Sequence, residues 1–490
     1  MKMMPKIPTR WPAVGAALLC FTATEATTLD DVGYTQLQAE LGLATPVGAG
    51  VLISQIEGNQ LMDPDYAYVP ETGNAELMGK TITDVSALST APSGHATAVA
   101  QLFYGNTMAS ARGITNITGY LADHWLQTGY LHVEDSNPTA PWPVQSARRV
   151  ANHSYIGGYP GDEGPANNAN ALRRVDWLVE RDDYLQVVAY AAVGPAPLLS
   201  SAFNVISADW TGALPTIGSA AVDAIYTAGR TRPDVVAPID SPSQATPIVA
   251  SAAALLVGVG QSSSALSTDL SAISTTNRNG DTIYNASRSE VIKAALMAGA
   301  ARFTRNSTGA DITDYRANAA DRTTNGLDRR YGAGQVNVRN SYWIIASGEK
   351  NSTEDGGPGS GSATQGFDFD PHFGGTASNS QANYPLPVSA TPQLLTAALV
   401  WTLDIAGGTA AHFNGTAVLR DLALSVIDLA NSGATVVMSQ STIDNSENAW
   451  IVIPAGGQYA LRVARGSGSA FDYDYALAWQ LLPDTDADGI

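Results

Sequence analysis

The most constraining feature of the sequence is an uncharged segment rich in alanine and leucine, residues 245–257. A helix without a polar face is buried on every side, so this segment predicts a central helix. Pro247 suits the first turn of such a helix, where a missing backbone N–H has no consequence. Ser243 then stands at the N-terminal end, where free N–H groups and the helix dipole stabilise negative charge. The position suits a nucleophilic serine and a simple N-cap serine equally well.

Alternating strand and helix patterns over residues 48–346 predict an α/β fold built on a parallel sheet. The apolar run 185–192 is typical of a strand covered on both faces. Beyond a Gly/Ser-rich stretch, short β-prone runs separated by turn residues predict an all-β sandwich. The predicted organisation is a signal peptide (1–26), an α/β domain (27–350), a linker (351–366), the sandwich (367–482) and an acidic tail (483–490).

The N-terminus has the features of an export signal. Lys2, Lys6 and Arg10 precede an apolar stretch, residues 11–23, which small residues follow. This pattern predicts a secretory signal peptide and an extracellular protein. The sequence has a single cysteine, Cys20, which lies within that signal. A mature chain without thiols excludes cysteine catalysis, disulfides and cysteine-ligated metals.

The charge of the chain restricts its partners. A formal net charge of −19 argues against nucleic acid as the main partner. No run beyond the signal is long and apolar enough to predict a membrane span. We therefore expect neither a nucleic-acid partner nor a membrane span, and we expect a monomer.

Three residues stand where catalytic groups are useful. Glu57 follows the predicted strand 50–56, His95 opens the predicted helix 94–105, and Ser243 opens the central helix. Acyl transfer needs a serine, a base for its proton, and a carboxylate that orients the imidazole. Each signal is weak alone, since a histidine at a helix start is more often structural.

Short motifs around these residues strengthen the prediction. Residues 242–247, PSQATP, resemble the Thr-Ser-Met-Ala-Thr-Pro motif of the subtilase (subtilisin-like) peptidases. Residues 94–100, GHATAVA, resemble the family's histidine motif, and residues 51–58 are similar to its aspartate strand, with Glu57 in place of aspartate. Residues 150–157 and 331–337 resemble its peptide-binding strand and the closing turn of its domain.

The resemblance implies a secreted serine endopeptidase with a subtilisin-like parallel sheet flanked by helices. Ser243 would attack the carbonyl, His95 would be general base and then general acid, and Glu57 would orient the imidazolium. The backbone N–H of Ser243 would be one oxyanion donor. Four residues would bind the peptide as an added β-strand: Ser154, Tyr155, Ile156 and Gly157.

The sequence departs from the family pattern in three places. Glu57 is one methylene longer than aspartate, although glutamate serves this role in other serine hydrolases. The family's oxyanion asparagine is missing, with Gly194 at or near its place; losing such a donor costs on the order of 10²–10³ in turnover. Ser241 replaces the glycine that usually precedes the serine motif, and Asp240 comes before it; we expect Asp240 to point outward. His153, the rival histidine, is expected to be structural or to line the substrate site.

The C-terminal sandwich resembles the jelly-roll domain that follows some subtilase domains, and we expect it to be a stabilising cap. The proposed chemistry requires no cofactor. Asp421 and Glu447 are candidate ligands for a structural calcium ion. Asp484, Asp486, Asp488 and Gly489 in the tail match the first half of a calcium loop. The second half of such a loop is missing.

Two other functions stay open at this point. A subtilase fold with impaired catalysis would bind peptides or surfaces, and the missing asparagine favours it. A carbohydrate-binding protein would use the sandwich instead, at residues 367–482.

Overall fold

The computed structural model describes residues 25–61, 64–133, 140–159, 161, 164–192, 196–305, 309–353, 359–374, 380–466 and 471–484. Most of the predicted signal peptide, with Cys20, lies outside these residues. So do Gly194 and the tail beyond Asp484.

Within the described residues, seven parallel strands form one sheet in the order β2-β3-β1-β4-β5-β6-β7. Adjacent strands of this kind require crossover connections, which the helices provide. The strands are β1 (Ile53–Glu57), β2 (Thr81–Asp84), β3 (Asn116–Leu121), β4 (Val150–His153), β5 (Leu185–Ala189), β6 (Ile206–Trp210) and β7 (Val235–Ala237).

Helices cover both faces of this sheet. Val187 and Val188 are neighbours on β5, yet they belong to different buried clusters, because successive strand residues point to opposite faces. The described α-helices are α1 (Glu25–Asp31), α2 (Tyr34–Leu41), α3 (Gly94–Tyr104), α4 (Ala122–Leu126), α5 (Gly164–Asp182), α6 (Pro242–Gln261), α7 (Ser289–Ala298), α8 (Ile312–Ala317) and α9 (Val338–Ala346).

The predicted central helix is confirmed as α6, with every residue of 245–257 buried. Of the described helices, α6 is the one with the length and hydropathy of a membrane span, and it is mostly enclosed by the protein. Its start differs from the prediction. The helix begins at Pro242, so Pro247 lies inside it rather than in its first turn. Without an N–H, Pro247 cannot bond the carbonyl of Ser243, four residues earlier.

Two antiparallel four-stranded sheets, β10-β19-β12-β17 and β11-β18-β15-β16, follow and enclose a separate apolar core. A β8–β9 hairpin precedes them, and a β13–β14 hairpin reaches from them to α5. These strands are β8 (Ser274–Thr276), β9 (Thr282–Tyr284), β10 (Gln365–Phe373), β11 (Gln381–Pro385), β12 (Gln393–Val400), β13 (Asp404–Thr409), β14 (His412–Val418), β15 (Leu422–Asp428), β16 (Ala434–Ser439), β17 (Ser446–Ile453), β18 (Tyr459–Arg465) and β19 (Tyr473–Pro483).

The predicted fold class is therefore confirmed: an α/β parallel sheet flanked by helices, followed by an all-β sandwich. The first sandwich sheet packs on α7. Thr396 Oγ1 and Gln480 Nε2 both donate to the Ala298 carbonyl at the end of that helix, at 2.7 and 3.1 Å. Phe367 and Phe369 of β10 belong to the same buried cluster as α6. One face of this sheet thus joins the core of the α/β part, and its other face lines the separate core of the sandwich.

Candidate active site

Glu57 and His95 are in direct contact. Glu57 ends β1 and is 1% exposed, and its Oε2 lies 2.8 Å from His95 Nδ1. A carboxylate only accepts hydrogen bonds, so Nδ1 carries the proton and donates it. Nε2 of the neutral ring is then an acceptor, as a general base requires.

The start of α3 positions His95. The Ser93 side chain caps this helix by accepting from the Ala96 N–H at 3.0 Å, so His95 lies in the first turn. The His95 side chain is 31% exposed and is therefore accessible from outside. Burial lowers the pKa of His95, but the charge and hydrogen bond of Glu57 outweigh burial and raise this pKa above its ordinary value.

Ser243 lies in the first turn of α6 and forms a reciprocal pair with Ser154. Ser154 Oγ donates to the Ser243 carbonyl at 3.0 Å, and Ser243 Oγ donates to the Ser154 carbonyl at 3.4 Å. Pro247 explains the first bond, because it leaves the Ser243 carbonyl without a helical donor. The hydrogen bond from Ser154 therefore joins the start of α6 to the residue that follows β4.

The sheet register brings these groups to one edge. β1 and β4 are neighbours, and Ile56 pairs with His153, so Glu57 and Ser154 come next at the carboxyl ends of both strands. Ligands of open α/β sheets bind at this edge. No hydrogen bond between His95 Nε2 and Ser243 Oγ occurs among the described residues. Such nucleophile–base contacts are often long in unliganded enzymes and tighten with substrate.

Of the predicted oxyanion donors, the Ser243 N–H lies in the first turn of α6, where an amide has no helical partner, and the described part of the chain provides no acceptor for it. Its role as an oxyanion donor stays a prediction. Gly194 lies outside the described residues. Asn204, the next asparagine, is 4% exposed and bonds the Asp176 carbonyl and the Leu403 N–H, away from this edge.

The predicted substrate strand is partly engaged by the protein itself. The main-chain N–H and carbonyl of Gly157 both bond Leu198, at 3.4 and 3.0 Å. Tyr155 is buried, with its hydroxyl 3.2 Å from His153 Nδ1, and Ile156 is half-buried. A peptide that pairs with Gly157 would have to replace Leu198.

His153 has a structural environment. Its Nε2 lies 2.8 Å from Gln186 Oε1, and its ring packs edge-on against Trp125. Burial lowers the pKa of His153 to about 4, so the ring is neutral near pH 7. Nε2 donates to Gln186, and Nδ1 accepts from the Tyr155 hydroxyl.

No group of three or more His, Cys, Asp or Glu side chains placed to hold a metal ion occurs in the described residues. Glu447 accepts from Ser439 Oγ and the Ser441 N–H, and burial raises its pKa to about 9. A calcium ion near Asp421 and Glu447 stays a prediction. Asp240 is exposed.

Comparisons with protein-family models and with curated proteins find no match. Among solved structures, the chain is similar to a mutant of the protease domain of PatA. The likeness has 15% identity and a TM-score of 0.36, and it covers 62% of this chain and 98% of that chain. A likeness this distant carries no information on the activity.

Replacing Glu57 by glutamine is expected to destabilise the fold most in mildly acidic solution. Because Glu57 raises the pKa of His95, the folded chain binds this proton more tightly than the unfolded chain does. That stabilisation is complete below about pH 6.5, the unfolded value, and is lost as pH rises through the folded pKa. Urea unfolding should therefore show a larger gap between wild type and Glu57→Gln at about pH 6 than at about pH 9.

Glu71→Gln is the matched control, since it neutralises a glutamate that is exposed. Its gap from wild type should be small and independent of pH over this range. A pH-independent gap for Glu57→Gln would contradict the assigned contact.

Proposed function

We propose that the chain is a secreted serine endopeptidase of the subtilisin-like kind, which hydrolyses peptide bonds through an acyl-enzyme. Glu57, His95 and Ser243 are its proposed triad. The observation that carries the proposal is the buried Glu57–His95 hydrogen bond at the same sheet edge as Ser243. The motif resemblance of the sequence supports it independently.

In the proposed reaction, Ser243 Oγ turns from the Ser154 carbonyl to His95 and attacks the scissile carbonyl. His95 Nε2 takes the hydroxyl proton and then gives it to the leaving amine. Glu57 stabilises the imidazolium by charge, and the Ser243 N–H stabilises the oxyanion. Water then hydrolyses the acyl-enzyme by the same proton transfers in reverse. These steps use only groups of this chain and need no cofactor.

One observation favours the alternative of a peptide-binding protein with impaired catalysis. Ser243 Oγ contacts the Ser154 carbonyl rather than His95. The peptide would then be held at the strand end without being cleaved. The two functions differ in one property, the reactivity of the Ser243 hydroxyl.

A fluorophosphonate probe measures that reactivity. Wild type is expected to form a covalent adduct that peptide mapping places on Ser243, and Ser243→Ala should not be labelled. Because a protonated imidazole cannot accept the hydroxyl proton, the labelling rate should rise with pH, with a midpoint above about 6.5. Ser241→Ala, two residues earlier, should label like wild type. Folded wild type that stays unlabelled would favour the peptide-binding alternative.

A further inference from the structure

We infer that Gln55 is a positioning residue, which holds the Glu57 carboxylate against His95 and ties it to the helix that bears His95. The consequence for catalysis rests on the proposed function. The positioning itself does not, because it concerns contacts among buried side chains.

Gln55 lies two residues before Glu57 on β1, so both side chains point to the same face of the sheet. Gln55 is 2% exposed. Its Nε2 donates to Glu57 Oε1 at 2.9 Å and to the Ala96 carbonyl at 2.8 Å. Ala96 directly follows His95 on α3. One amide group therefore bonds the carboxylate and the helix that carries its imidazole partner.

The orientation of this amide is fixed by its surroundings. Tyr104, fully buried at the end of α3, donates its hydroxyl to Gln55 Oε1 at 2.7 Å. A flipped amide would place Oε1 against a carboxylate and a carbonyl, which only accept. Tyr104 thus selects the orientation in which both Gln55 N–H groups face acceptors.

Glu57 depends on these bonds because it has few partners. Among the described residues its carboxylate accepts from His95 at Oε2 and from Gln55 at Oε1. A buried carboxylate left with one donor is poorly stabilised and is free to rotate. Glutamate has one more rotatable bond than aspartate, so a second anchor compensates for the longer side chain.

Besides burial, Glu57 is the charged group that shifts the pKa of His95. Tyr104 and Tyr155 face Glu57 from α3 and from the end of β4. Burial, followed by the charges of neighbouring groups that include Glu57, raises the pKa of both phenols well above 10, so both are neutral near pH 7. Displacing the carboxylate should therefore change the titration of His95 directly.

The test replaces Gln55 by methionine, which has a similar shape but no N–H donor, and follows His95 by NMR titration. The pKa of His95 should fall by about one unit, because burial then acts with a weaker carboxylate contact. If the wild type is a peptidase, its kcat should also fall about 10- to 100-fold, with KM little changed. A pKa equal to that of wild type would overturn the inference.

Ser54→Ala is the matched control. Ser54 is buried on the same strand but on the opposite face, where its hydroxyl bonds Thr118 Oγ1 at 2.7 Å. This variant should lower the melting temperature without changing the pKa of His95. If it lowers that pKa as much as Gln55→Met does, general loosening of β1 is the cause and the inference fails.

Tyr104→Phe keeps the inference testable if Gln55→Met does not fold. It removes only the hydroxyl that orients the amide, so a smaller fall in the pKa of His95 is expected, and no fall would count against Gln55. The titration also separates two failures. A wild type that lacks peptidase activity but shows the Gln55-dependent pKa refutes the proposed function alone.

Discussion

Replacing His95 by alanine is expected to lower kcat on the order of 10⁴- to 10⁶-fold, with KM little changed. Its ring is the one described group that combines a buried carboxylate partner with an accessible side chain at the edge where Ser243 lies. Without it, the proposed mechanism has no base that takes the proton of the Ser243 hydroxyl. Steady-state hydrolysis of a peptide substrate measures the effect.

His124→Ala is the control for that experiment. His124 lies on α4, where its Nδ1 is 2.8 Å from Ser86 Oγ, and it has no carboxylate partner among the described residues. The variant should keep wild-type kcat. If His95→Ala retains a tenth or more of wild-type kcat, another group is the base and the proposed triad is wrong.

Replacing Asp234 by asparagine is expected to lower the free energy of unfolding by about 3–5 kcal/mol. Asp234 Oδ1 lies 3.5 Å from Arg232 Nη1 and 3.4 Å from Lys293 Nζ, and all three side chains are at most 3% exposed. Burial lowers the pKa of Lys293 to about 8, although the charge of Asp234 acts in the opposite direction. Removing the carboxylate would leave the buried Arg232 without this anion and would lower the pKa of Lys293 further. Urea unfolding near pH 7 provides the measurement.

Asp209→Asn is a control of the same chemistry on the neighbouring strand. Burial raises the pKa of Asp209 to about 8, so it is protonated near pH 7, and its Oδ2 has no hydrogen-bond partner in the described chain. The folded state holds this proton more tightly than the unfolded state does. The contribution of Asp209 to the free energy of unfolding therefore becomes less favourable as pH rises toward 8. Asp209→Asn should not lower stability, and relative to wild type it should gain stability between about pH 5 and pH 8. Equal losses in both variants would contradict the Asp234 ion pairs.

Local sequence predicted the elements whose patterns depend only on burial. Residues 245–257 have no polar face, and the helix they form is buried throughout. Glu57 and His95 are predicted from strand-end and helix-start positions together with the motif resemblance, and the structure places the two side chains in contact. The strand-end argument applies to Glu57, because parallel strands bring their carboxyl ends to one edge.

Contacts between distant segments could not be predicted from local pattern. The Ser154–Ser243 pair depends on β4 lying beside α6, and the role of Pro247 depends on where that helix starts. Gln55 was overlooked, although its spacing of two from Glu57 on a strand indicates a shared face. What the spacing did not show is that α3 would place Tyr104 and Ala96 on that face.

The contact between the two halves has a consequence for how the protein behaves as a unit. Phe367 and Phe369 of β10 belong to the same buried apolar cluster as α6, whose first turn carries Ser243. The sandwich is therefore part of the packing of the α/β half, and we expect variants that destabilise the sandwich to destabilise that half as well. Side chains more than a hundred residues along the chain from Ser243 thus belong to the same apolar cluster as the helix that carries it.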